Sequence, residues 1–169
     1  MTLEPGAIAR VRADSVVVDP HGSELGLKLL DYAKVVVTNS QLLGLPNAEI
    51  ILVPAPGTSK KLQLIYALMV GHFVAPYNNI DGNSTFGIDD VDNNQSLCTA
   101  PTGFFGVGNP FTDFTYSCPL DAQQTLLQSS TNNPLRLFAT QDDTGQDYGG
   151  GDTANTLTVH LFYTTLDLS

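Results

Sequence analysis

The chain has 169 residues, which is one domain's worth and enough to bury a sizeable core. Only 14% of the residues are charged against 42% apolar, and the formal net charge is −10. That balance argues against a coiled coil or long exposed helices, against a highly charged disordered chain, and against nucleic acid as a partner, since phosphate binding needs Lys and Arg to displace counterions.

Residues 1–33 are the least regular. Val16-Val17-Val18 fits a short strand, closed by the turn Asp19-Pro20-His21-Gly22. Ser23–Tyr32 (SELGLKLLDY) fits a short helix or a strand, and the whole segment reads as an N-terminal arm or docking segment. From Lys34 the pattern is strand after strand, defining a second region over 34–169. Lys34–Thr38 is β-branched, and Glu49–Val53 is stopped by Pro54 and Pro56. In Ala55-Pro56-Gly57, proline fixes φ and glycine accepts a positive one, which makes a stiff turn. Lys61–Val70 places Leu62, Leu64, Tyr66, Leu68 and Val70 on one face and Gln63, Ile65, Ala67 and Met69 on the other, so both faces are expected to be buried.

Further short strands are expected at Ser84–Ile88, Phe104–Val107, Phe111–Ser117, Gln124–Gln128 and Pro134–Thr140, separated by turn clusters. The clearest strand is Thr156–Thr164, with Leu157, Val159, Leu161 and Tyr163 alternating with Thr156, Thr158, His160, Phe162 and Thr164. Gln141–Asn155 is a loop by composition. Short strands with turn signals between them, and no regularly spaced helices, define an all-β chain. The expected architecture is an antiparallel β-sandwich, with a jelly roll as one arrangement of it, behind a less regular N-terminal arm.

No apolar run approaches the ~18 residues of a membrane span, so no membrane partner is expected. The N-terminus MTLEPGAIAR lacks the basic and apolar regions of a signal peptide. Cys98 and Cys118 either pair across a loop or stay as two buried thiols, and in a reducing cytoplasm free thiols are the expectation. Charge is unevenly spread. Every basic residue except Arg136 falls within 1–61, where acids balance it, so residues 62–169 carry the whole net charge of −10.

The chemistry of catalysis is missing at the level of motifs. There is no G-x-S-x-G elbow, and His21, His72 and His160 are far apart in sequence. GFFGVGNP at 103–110 lacks the third glycine and the following helix of a phosphate cradle. Asp90-Val91-Asp92-Asn93-Asn94 opens like a calcium loop, but Gln95 stands where glycine is needed and Pro101 where glutamate is needed. Asp142, Asp143, Asp147 and Asp152 read as a solvated loop. Three Glu and no Trp argue against a carbohydrate enzyme, although Tyr and Phe leave room for sugar binding. No catalytic residue, metal site or cofactor is expected.

Four pieces in order carry a resemblance: VVTNSQLLGL at 36–45, EIILVPAPGTSKK at 49–61, NPLRL at 133–137 and GGGDTANTLTVHLFY at 149–163. Together they resemble small virion proteins of tailed bacteriophages, over roughly Val36–Tyr163. The resemblance implies a β-sandwich subunit that acts as a capsid decoration or cement protein, binds the major capsid protein as a homotrimer, and has no enzyme activity. A tail or head-fibre protein with a receptor-binding role is the alternative, and a carbohydrate-binding or hydrolytic β-sandwich ranks third. The near-neutral N-terminal part suggests Arg10, Arg12, Lys60 and Lys61 as capsid contacts, with the acidic part facing solvent, on a virion assembled in the host cytoplasm. Strands 61–70 and 156–164 are expected in the middle of the packed sheets.

Overall fold

The computed structural model describes residues 17–18, 24–25, 30–78, 85–90, 96–100, 113–119, 131–140 and 145–169. The chain divides into two compact units, Met1–Leu30 and Asp31–Ser169. In the first, β1 (Val17–Val18) pairs antiparallel with β2 (Glu24–Leu25), so Ser23–Tyr32 contains strand where helix was the alternative. The strands expected at 104–107 and 124–128 lie outside the described residues.

The second unit is all-β apart from one helix among its described residues. It runs β3 (Asp31–Thr38), α1 (Asn39–Gly44), β4 (Ile50–Val53), β5 (Lys60–His72), β6 (Tyr77–Asn78), β7 (Phe86–Asp90), β8 (Ser96–Ala100), β9 (Asp113–Pro119), β10 (Leu135–Ala139), β11 (Gly149–Gly150) and β12 (Thr156–Asp167). Two four-stranded antiparallel sheets result, in the orders β3-β12-β5-β9 and β4-β10-β7-β8, with β6 and β11 forming a small ladder. The last strand, β12, is zipped between β3 and β5, so β5 and β12 do hold the middle of a sheet. The buried faces of both large sheets join one apolar cluster. Val37, Leu64, Met69, Leu157 and Leu161 come from the first sheet, and Phe86, Ile88, Leu135 and Leu137 from the second. Fully burying such a side chain stabilises by roughly 1.5–3 kcal/mol.

The α1 helix was not anticipated, although its start is encoded locally. Gln41 Oε1 accepts from the Thr38 backbone N–H at 3.0 Å, the reach-back half of a capping box. Leu42 and Leu45 then bury themselves in the core. The Pro56-Gly57 turn forms as expected, with Gly57 at φ 103°, its N–H held by Asn132 Oδ1 at 2.9 Å.

Three bulges reshape the strict alternation read from sequence. In β5, Tyr66 faces Phe162 and Leu64 faces Tyr163, which leaves Ile65 unpaired. The extra residue reverses the inward phase: Leu62 and Leu64 point inward before it, and Ala67, Met69 and Gly71 after it. The expected single stripe Leu62-Leu64-Tyr66-Leu68-Val70 is therefore corrected, and so is the burial of both faces, because Tyr66, Leu68 and Val70 lie on the outer side. Bulges at Leu52 in β4 and Leu97 in β8 likewise bury two successive residues, Leu52-Val53 and Leu97-Cys98. The latter also pushes a carbonyl over β7: a Cβ at Gly87 would stand 2.1 Å from the Cys98 oxygen, so only glycine fits there.

The expectation of free thiols is also corrected. Cys98 of β8 and Cys118 of β9 form a disulfide, their Cα atoms 5.8 Å apart. β8 and β9 end the two different sheets, and the fold sets these two ends side by side. Near the β5–β6 connection, fully buried Asn155 accepts from Val74 N–H at 2.7 Å and Ala75 N–H at 3.2 Å, and donates to Ala75 O at 2.7 Å. Its side chain satisfies backbone groups that a loop would otherwise leave unpaired.

Candidate functional site

Strand register builds an outward face on the β3-β12-β5-β9 sheet row by row. Tyr32, Phe162 and Tyr66 form one row across three strands, with neighbouring ring centroids 5.2 Å and 6.0 Å apart. The next row is Lys34, His160, Leu68 and Ser117, and the third is Val36, Thr158, Val70 and Thr115. Tyr32 Oη lies 2.7 Å from His160 Nδ1, and its ring stacks on the imidazole at 6.0 Å, tying the first row to the second. Beyond the β5 bulge, Gln63 opposes Thr164 and Lys61 opposes Leu166 on the same side.

None of these outward residues is a carboxylate, in a chain that holds seventeen Asp and Glu. The first acid at the far end is Asp113, whose Oδ1 sits 2.5 Å from His72 Nδ1. Tyr32 is 52% exposed, Val36 53% and Leu166 38%, and the other apolar side chains of the face are half-buried. The face thus mixes aromatic and aliphatic side chains with Lys, His, Thr, Ser and Gln, is aromatic at its centre, and carries no carboxylate until Asp113 at its far end.

The other large sheet carries a polar cleft of about 740 Å³ lined by the α1–β4 connection and by β7, β8 and β10. At its floor, Arg136 Nε donates to Asp89 Oδ1 at 2.6 Å and Nη2 to Oδ2 at 3.1 Å, while Nη1 donates to Glu49. The hydrogen bond to Asp89 chiefly raises the Arg136 pKa, against the opposing effect of burial. The guanidinium is committed to protein partners and Asp89 is almost wholly buried, so this cluster ties β7 and β10 to the residue that leads into β4. Among the described residues, no three His, Cys, Asp or Glu gather as a metal site. His72 and His160 stand on different rows of one sheet, and no helix among the described residues is long and apolar enough to cross a membrane.

Of the four residues picked as capsid contacts, Arg10 and Arg12 lie outside the described residues. Lys60 and Lys61 open β5. Lys60 is exposed, whereas burial lowers the Lys61 pKa and the Asp90 carboxylate pulls it back up. Lys61 lies at one end of the carboxylate-free face. Sequence reasoning did not find that face. Its signal was Phe162 among the threonines of β12's polar side, opposite Tyr66 once the bulge is counted.

Comparison of the chain with protein-family models, with curated proteins and with solved structures finds no match.

Proposed function

We propose that this chain is a structural protein of a tailed-bacteriophage virion, a β-sandwich subunit that decorates the head and cements neighbouring capsomers. The observation that carries the reading is the carboxylate-free aromatic face on a molecule of net charge −10. An outward row of aromatic side chains without carboxylates around it suits a contact surface, since aromatic residues are the usual anchors of protein interfaces. The resemblance of the 36–45, 49–61, 133–137 and 149–163 segments to phage virion proteins supplies the partner, the major capsid protein. Cementing needs no chemistry, only an interface repeated over many copies.

The test is co-sedimentation of the purified chain with capsids stripped of other minor proteins. Wild type is expected in the pellet, and Tyr66→Asp, on a central strand of the face, in the supernatant with its circular-dichroism spectrum unchanged. Equal pelleting of both proteins refutes the docking face. A wild type that never pellets, yet blocks phage adsorption to cells, points to the tail or fibre role instead.

A further inference from the structure

The outer face ends at β3, and β3 itself is an open edge. Among the described residues its one strand partner is β12, although the Thr38 N–H at its end is already taken by Gln41. It has no proline and no bulge, is β-branched at Val35, Val36 and Val37, and carries two charges, Lys34 on its outward side and Asp31 at its start. Its inward row is incompletely covered: Val37 is fully buried, but Ala33 and Val35 are only half-buried. A long, valine-rich edge whose inward row is only partly covered is a template for one more strand.

We propose that the occupant is β3 of a second copy, paired antiparallel about a two-fold axis, with Val35 opposite the partner's Val35. The valine-rich inward row is self-complementary, which points to a second copy, and charge together with the length of overlap chooses the register. Each chain carries −10, so two copies meet best where neither presents a carboxylate, and the outward residues of β3 are Tyr32, Lys34, Val36 and Thr38. In antiparallel pairs, opposed residues share a face, which restricts the pairing to steps of two. Centring on Lys34 sets lysine against lysine. Centring on Ala33 shortens the overlap and sets Asp31 against valine. Centring on Val35 sets Lys34 against the partner's Val36, Tyr32 against the partner's Thr38 and Ala33 against the partner's Val37, and leaves Asp31 beyond the pairing. The half-buried inward row is then completed by apolar side chains, and the two aromatic faces become one continuous surface. This pairing is an alternative to the three-fold assembly that the resemblance implies, and it does not depend on the docking reading.

The test is sedimentation of the full chain with cysteine crosslinking. A dimer of about 36 kDa, twice the 18.0 kDa chain, is expected. The chain's two cysteines are paired with each other, so an added cysteine is the only free thiol. In this register Val35→Cys places two Cα atoms ~4.5–5.5 Å apart, within disulfide reach, whereas Val36→Cys places them about 8 Å apart, beyond it. Oxidation is expected to trap dimers of the first variant and not of the second. Val36→Lys, at an exposed position, opposes Lys34 twice and is expected to weaken the dimer about tenfold. A general charge effect would act the other way, since added lysine lowers the repulsion between two acidic chains. A monomer at high concentration, a trimer of about 54 kDa, or trapping of Val36→Cys in place of Val35→Cys overturns the proposal. Capsid co-sedimentation is read separately and stands or falls on its own.

Discussion

Reducing the Cys98–Cys118 bond tests how much of the fold's stability rests on linking its two sheets. The bond closes a loop with a sequence separation of 20. Chain-entropy arithmetic for a loop of that length gives about 3.3 kcal/mol at 25 °C. For a chain of this size each kcal/mol moves Tm by ~2–4 °C, so reduction is expected to lower Tm by about 7–13 °C. Both sulfurs are buried, so the Cys98→Ala/Cys118→Ala variant adds a cavity cost and falls further than the reduced wild type. Calorimetry with and without reductant, under conditions where unfolding is reversible, measures the shift. Two thiols titrating in the native, unreduced protein, or a Tm moved by less than ~2 °C, would refute the reasoning. The second outcome would mean that the β8 and β9 edges stay together without the covalent link.

Arg136 gives an asymmetric prediction. Arg136→Met leaves the Asp89 carboxylate, with only 6% of its side chain exposed, without its partner, and is expected to cost about 3–5 kcal/mol in urea denaturation. Removing both charges with Arg136→Met/Asp89→Asn is expected to restore most of that loss, whereas Glu49→Gln, at a 45% exposed side chain, costs under ~1 kcal/mol. A double variant no better than the single one would deny that the uncompensated charge is the cause. At alkaline pH, burial raises the pKa of Tyr77, outweighing a hydrogen bond from Asn155 that lowers it; burial first, then the Asp31 charge, raises that of Tyr163. The folded chain therefore holds these protons above the ordinary ~10, where the unfolded chain has released them. Their contribution is complete below pH ~10 and is lost as pH rises through the folded values. Absorbance at 295 nm should show late-ionising tyrosines that titrate together with unfolding. A single wave near pH ~10 with the fold intact contradicts this.

The strands were legible wherever one face is buried without interruption. In β12 and β10 the alternation of Leu157-Val159-Leu161 and Leu135-Leu137-Ala139 names the core side correctly. β5 misled because a bulge has no signature in hydrophobic pattern: Ile65 is as apolar as its neighbours, and only pairing with β12 shows that it is passed over. The consequence reaches beyond packing, since one skipped residue moves Tyr66 and Leu68 from core to surface and thereby creates the aromatic row. The disulfide was illegible for a related reason. Cys98 and Cys118 lie on strands of different sheets, and only the way the chain alternates between sheets brings those strands together. Composition also mis-sorted the surface. Most of the carboxylate-free face comes from β5 and β12, within the stretch that carries all the net negative charge, because strand alternation sends neighbouring residues to opposite sides.

Local arrangement matters more than net charge for docking. Two unit charges ~10 Å apart in water interact by only about 0.4 kcal/mol, and at physiological ionic strength the field is screened within ~8 Å. Carboxylates elsewhere on the molecule therefore oppose contact weakly, whereas one inside the contact would have to be desolvated, at a cost of several kcal/mol. A chain of net charge −10 can thus dock through one clean face and keep its acidic loops as protection against aggregation. In the proposed capsid contact, the two candidate sources of affinity would separate by salt. Attachment by burial of Tyr32, Phe162, Tyr66 and Val36 persists when ionic strength rises. Attachment through Arg10, Arg12, Lys60 and Lys61 weakens steeply, so co-sedimentation repeated across a salt series tells the apolar face from the basic residues.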